Sequence, residues 1–141
     1  MARALTSENL IANQSIETLT IGQPGGWKKE KWGSSTALQN VKSPGLDGNN
    51  SLYSEITKYN SGTVRWFFEP VSVQPSTTYS YSTYYKSNVR TDALAVIKTN
   101  GGYVYRWLGF IRASPTNFTK YSAAITMPSN ATSLTVYQKF E

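Results

Sequence analysis

The chain has no cysteine and no histidine. The first absence excludes disulfides and thiolate metal sites, and the second removes the commonest general base and the commonest zinc ligand. No apolar run approaches the roughly 18 residues of a membrane-spanning helix. The opening "MARALTSENL" lacks the apolar segment of a signal peptide, so neither a membrane segment nor a leader is expected in these 141 residues. Acids are scarce as well. Eight Asp and Glu stand against 14 Lys and Arg, for a net charge of +6, a sign that favours anionic partners without naming their chemistry.

The eight carboxylates are Glu8, Glu17, Glu30, Asp47, Glu55, Glu69, Asp92 and Glu141. None forms a recognisable acid pair of the kind that glycoside hydrolysis uses, so the expectation is that the chain is not an enzyme. The basic residues are dispersed and "KKEK" is their only run. That disfavours a nucleic-acid platform, where aromatics interleave with a basic groove.

What the chain does have is short β-rich runs punctuated by turn residues, with no amphipathic helical period. Candidate strands lie at 16–21, 27–38, 51–58, 63–73, 78–87, 93–98, 103–111, 118–126 and 133–140. Between them stand "GQPGG", "SPGLDGNN", "QPST", "TNGG", "ASPTN" and "MPSN", whose Gly, Pro, Asn and Ser suit tight turns. "KTNGGY" reads as a hairpin in which Asn100 and Gly101 accept positive φ. Nine short strands predict an all-β, two-sheet antiparallel β-sandwich of jelly-roll type. Residues 1–8 are expected to be a flexible lead-in, and 9–141 the sandwich domain.

Strand parity then sorts the side chains. In "YSYSTYYKSN" Tyr79, Tyr81, Thr83 and Tyr85 share one side, against Ser80, Ser82, Tyr84 and Lys86 on the other. In "SLTVYQKF" Leu134, Val136 and Phe140 point in, while Thr135, Tyr137 and Lys139 point out. In "TVRWFFEP" Arg65 and Phe67 share a face, and Arg65 marks it as the outward one. Trp27 and Trp66 are assigned to the core by the usual burial of Trp. Trp32 has polar neighbours on both sides, and Tyr103, Tyr105 and Trp107 form a stripe that is either core or platform.

A wet face of Tyr, Trp, Arg, Lys, Ser and Thr suits recognition of sugars. The apolar C–H faces of a pyranose stack on flat rings while its hydroxyls meet polar groups at the rim. The candidate binding residues are Trp32, Arg65, Tyr84, Lys86, Trp107, Tyr137 and Lys139. Without a ligand, Tyr84 and Tyr137 would be exposed cross-strand partners that stabilise a sheet. Arg65, Lys86 and Lys139 have no acid of matching parity in their own strands, so a shared face would favour an acidic polysaccharide.

"NLIANQSIET", "GQPGGWKKEKWG", "GNNSLYSEIT", "SGTVRWFFEPVSVQPSTTYSYSTYYKSNV" and "YRWLGFI" together resemble the jelly-roll carbohydrate-binding modules appended to bacterial glycoside hydrolases and polysaccharide deacetylases. The resemblance runs over residues 9–137. It implies a non-catalytic module that holds a polysaccharide on a sheet face or sandwich edge by aromatic side chains, within a larger secreted carbohydrate-active protein. It also implies a structural calcium, for which Glu17 matches the first-strand carboxylate beside the Asn49 region. The last-strand Asp has no counterpart, because the chain ends at "VYQKFE" where the family continues into a further strand. The rival reading is a structural or adhesion β-sandwich of a coat, fibre or surface protein, which would use the same face for subunit contacts.

Overall fold

The computed structural model describes residues 9–12, 16–46 and 50–140. The expected lead-in at 1–8 lies outside the described residues, as do Asn49 and Glu141. Twelve strands are present among the described residues, and no helix: β1 Leu19–Thr20, β2 Gln23–Pro24, β3 Trp27–Trp32, β4 Thr36–Lys42, β5 Ser51–Lys58, β6 Thr63–Phe68, β7 Val71–Ser72, β8 Thr78–Ser87, β9 Thr91–Thr99, β10 Gly102–Ile111, β11 Ser114–Thr126 and β12 Ala131–Phe140. Among the described residues every strand pair is antiparallel.

One layer is a six-stranded sheet in the order β10-β9-β12-β6-β3, with β7 also pairing with β12. The other consists of the β8–β11 pair and the β4–β5 pair, and β1–β2 form a small ribbon. The chain is the two-layered, all-β sandwich that its turn spacing predicts.

The core lies between the layers. From the large sheet come Phe68, Ala93, Ala95, Ile97, Ile111, Leu134 and Val136; Ile125 comes from β11, and Val73 and Met127 from the segments beside β7 and β11. Tyr79, Tyr81, Tyr85 and Tyr121 pack against this cluster from β8 and β11. Their phenols find partners, as half-buried polar tips must. Tyr79 Oη accepts from the Gln74 N–H at 2.8 Å, Tyr85 donates to the Arg112 carbonyl at 2.6 Å, and Tyr121 donates to the Leu108 carbonyl at 3.3 Å. Burial pushes the Tyr81 phenol up to about 12. At the other end Trp66 donates its indole N–H to the Tyr53 carbonyl at 3.1 Å, tying β6 to β5.

Two long expected strands are broken. The stretch 27–38 divides into β3 and β4 at Gly33, because the backbone there meets the chain entering β6. A Cβ on Gly33 would sit 2.3 Å from the Ser61 carbonyl oxygen, and one on Gly62 1.8 Å from that of Trp32, so only glycines allow the approach. The stretch 63–73 divides at Pro70, which cannot donate to a ladder. In the β9–β10 hairpin the positive φ falls on Gly102, at 131°, and not on Asn100 or Gly101. Thr99 Oγ1 accepts from the Gly101 N–H and donates to the Gly102 carbonyl, which closes the turn.

Candidate functional site

The outer face of the large sheet is built row by row from its registers. Lys28, Phe67, Tyr137, Leu94 and Trp107 stand in one row across β3, β6, β12, β9 and β10, and Glu30, Arg65, Lys139, Asp92 and Phe110 in the next. Beyond the first row come Thr135, Val96 and Tyr105, then Ser133, Lys98 and Tyr103.

β10 is an edge strand and carries four rings on this face. Tyr103, Tyr105 and Trp107 share a parity, and strict alternation would turn Phe110 inward. A bulge between Trp107 and Gly109, with Gly109 at φ 123°, adds one residue and brings Phe110 opposite Asp92. These four side chains are 59%, 61%, 55% and 57% exposed. Trp107 and Phe110 meet edge to face at 4.8 Å, and the Arg90 guanidinium lies 3.8 Å from the Phe110 centroid. A contiguous exposed aromatic stripe on a sheet edge is unusual for a surface with no partner.

Beside the stripe is a groove of about 270 Å³, lined by Phe67, Pro70, Val96, Lys98, Tyr103, Ser133, Thr135 and Tyr137. Val96 and Thr135 are buried at its floor, and Thr135 Oγ1 donates to the Phe68 carbonyl at 2.6 Å. Phe67 and Tyr137 form one wall, their rings 4.9 Å apart. Burial raises the Tyr137 phenol above its ordinary value, and the neighbouring Arg65 cation pulls against that shift.

The cations in the middle of the face are neutralised. Arg65 sits 4.1 Å from the Tyr137 centroid and bonds Glu30 Oε1 at 2.5 Å. Lys139 Nζ lies 3.1 Å from Asp92 Oδ2, and the Trp107 indole N–H donates to the same oxygen at 3.1 Å. Lys28 pairs with Glu69 at 3.3 Å. The expected positive field therefore fails at Arg65 and Lys139: the missing acids come from neighbouring strands, where parity within one strand cannot show them.

The seven expected binding residues divide between two faces. Arg65, Trp107, Tyr137 and Lys139 come together on the large sheet. Trp32 is exposed at the end of β3, the opposite edge strand; four strand spacings separate the edges, about 19 Å. Tyr84 and Lys86 do not join them. They stand on β8, in the other layer, pointing outward; Tyr84 lies opposite Lys120, and the Lys86 ammonium is 4.8 Å from the Phe118 centroid. The single shared face is corrected to this extent. Phe67, Asp92, Lys98, Tyr105 and Phe110 are missing from the expected set. The β10 stripe was visible in the sequence as a parity pattern; the bulge that adds Phe110 had no signal beyond Gly109.

For calcium the described donors are few. Glu17 Oε1 accepts the Asn50 N–H at 3.0 Å, and the Asn50 side-chain amide donates to the Ile16 carbonyl at 3.0 Å. No group of three acidic side chains occurs among the described residues, whereas calcium takes six to eight oxygens. Glu17 would need backbone and amide oxygens beside it to complete such a site.

No family model matches the chain, and no curated protein matches it in sequence. Solved structures match it in fold, and the fold they share with it is the two-layered β-sandwich. The N-terminal CBM22-1–CBM22-2 tandem of Paenibacillus barcinonensis Xyn10C aligns over 86% of this chain and 40% of its own, with a TM-score of 0.58 and 15% identity. The CBM22-1–GH10 modules of Clostridium thermocellum xylanase 10B, complexed with xylohexaose, align over 81% of this chain and 23% of that one, with a TM-score of 0.58 and 14% identity. The enzymatically active domain of bacteriophage CBA120 tailspike protein 4 gives a TM-score of 0.75 at 14% identity, covering 93% of this chain. The chain spans only 19% of that tailspike chain. At such identities the similarity is one of fold.

Proposed function

We propose that this chain is a non-catalytic carbohydrate-binding module that holds a polysaccharide across the outer face of the large sheet. The observation that carries the reading is the row of exposed rings on β10 beside a groove with polar groups at its margin. Flat rings supply area for pyranose faces, and Ser133, Lys98 and the Tyr103 and Tyr137 phenols supply direction at the rim. Trp107 donates to Asp92, which is itself fixed by Lys139, and this favours a ring already set before the ligand arrives. The neutral Glu30–Arg65–Lys139–Asp92 row favours a polymer with a neutral backbone over a continuous polyanion. The CBM22 neighbours, one complexed with xylohexaose, support a β-linked xylan or similar chain as the first ligand to try.

Absence of catalysis belongs to the same proposal. Each described carboxylate has a donor of its own: Glu17 with Asn50, Glu30 with Arg65, Glu55 with Tyr53, Glu69 with Lys28, Asp92 with Lys139 and Trp107. The module would serve a larger, extracellular carbohydrate-active protein, as the multi-module chains of its fold neighbours suggest. Titration calorimetry against a panel of soluble polysaccharides tests the reading. Saturable binding without release of reducing ends supports it, and turnover abolished by one Tyr or Glu substitution contradicts it.

A second reading rests on the tailspike similarity: the sandwich is a structural brick of a fibre or spike, and the β10 rings meet a neighbouring subunit. Light scattering separates the two. A stable oligomer that dissociates on Trp107→Ala favours the brick.

A further inference from the structure

Among the described residues Lys98 is the sole charged side chain lining the groove. It is exposed, and its cross-strand neighbours are Tyr103 on β10 and Ser133 on β12. Among the described residues no carboxylate forms an ion pair with it, whereas Lys28, Arg65 and Lys139 on the same face each hold one. The floor beneath is uncharged, built from Val96 and Thr135, and the walls are aromatic. A groove of this kind offers stacking to a neutral sugar along its length and one uncompensated ammonium at one place. Ser133 stands beside that ammonium with a hydroxyl that both donates and accepts.

We propose that Lys98 makes this face selective for a polysaccharide whose neutral backbone bears spaced carboxylates, that is, uronic acid substituents. The proposal rests on the binding reading above and adds the substituent to it. One ammonium matches one carboxylate. A polymer charged at every residue would bring further anions against the Glu30–Arg65–Lys139–Asp92 row, whose cations are already paired and offer those anions no net attraction.

The test compares glucuronoxylan with the same xylan after enzymatic removal of its uronic acid, by titration calorimetry at low and high salt. It uses the wild-type chain, Lys98→Gln, Lys98→Arg and Trp107→Ala. The wild type is expected to bind glucuronoxylan about two- to fivefold more tightly than the stripped polymer, as an exposed ion pair provides. High salt should shrink that preference, since the Debye length falls from about 8 Å at physiological strength to about 3 Å at 1 M. Lys98→Gln should bind both polymers as the wild type binds the stripped one, and Lys98→Arg should keep the preference. A preference that survives Lys98→Gln, or its absence in the wild type, overturns the role of Lys98 while leaving the binding face intact. Undiminished binding by Trp107→Ala, or binding to neither polymer, overturns the face and the role of Lys98 with it.

Discussion

The two outward faces of this sandwich are made from different materials. The outer face of the large sheet carries Tyr103, Tyr105, Trp107, Phe110, Phe67 and Tyr137, with its central cations paired to acids on adjacent strands. The outer face of β8–β11 is a ladder of small hydroxylic side chains, in which Ser82 faces Ser122, Ser80 faces Ala124, and Thr78 and Thr126 share a hydrogen bond at 2.9 Å. Tyr84, Lys86, Phe118 and Lys120 occupy one end of that ladder, and neither strand contains an acid. One face has relief, apolar area and fixed polar groups. The other is hydroxylated and positively charged. Both expose tyrosine, so tyrosine content does not distinguish them; the groove and the pairing of charges do.

The largest expected effect sharpens the contrast between the two sides of the large sheet itself. Trp66→Ala removes a buried ring and its bond to the Tyr53 carbonyl, and should lower unfolding free energy by about 3–5 kcal/mol. Trp107→Ala removes an exposed ring and should lower it by less than about 1 kcal/mol. Urea melts of both variants check this, and equal losses would show that Trp107 belongs to the core.

Next comes alkaline pH, which probes the inward tyrosines. Burial raises the Tyr81 phenol to about 12, while the unfolded chain titrates near 10. The unfolded state therefore loses its proton first as pH rises. The contribution of Tyr81 is fully present below about pH 10 and lost between about 10 and 12, a loss of order 2 kcal/mol. Denaturant midpoints at pH 9 and 11.5 should show the drop, and Tyr81→Phe should reduce it.

A smaller effect separates ring orientation from ring area. Asp92→Asn removes the charge that holds both Lys139 and the Trp107 indole, and should weaken polysaccharide binding by about 1 kcal/mol. The near-ultraviolet circular dichroism of Trp107 should change with it. Unchanged affinity would mean that Trp107 needs no such support. Smallest of all, Lys86→Gln with Lys120→Gln should leave binding as it is and move stability by no more than about 0.5 kcal/mol; loss of binding in that variant would transfer the site to β8–β11.

Much of the fold was legible because turn chemistry and period-2 patterns are local. The β8 boundaries matched at 78–87, the partition of Tyr79, Tyr81 and Tyr85 from Tyr84 held, and Trp66 is buried as expected. The face assignment was not fully legible, since parity tells which side of its own strand a residue occupies and nothing about which sheet the strand joins. Tyr84 and Tyr137 share an outward parity, yet β8 and β12 lie in different layers. The same limit hid Glu30 and Asp92, whose partners Arg65 and Lys139 stand on neighbouring strands. Phe110 was hidden by a bulge, and the break at Gly33 by a contact with residues 61 and 62, nearly 30 positions away.

The central claim is that the large-sheet face, and not the β8–β11 face, binds carbohydrate. Its most direct test is titration calorimetry of soluble xylan with three proteins: wild type, the double variant Tyr103→Ala/Trp107→Ala, and Tyr84→Ala. Loss of stacking on the order of 1–3 kcal/mol per ring predicts at least a tenfold weaker complex for the double variant, with wild-type affinity for Tyr84→Ala. Retained affinity in the double variant, with loss in Tyr84→Ala, would contradict the account.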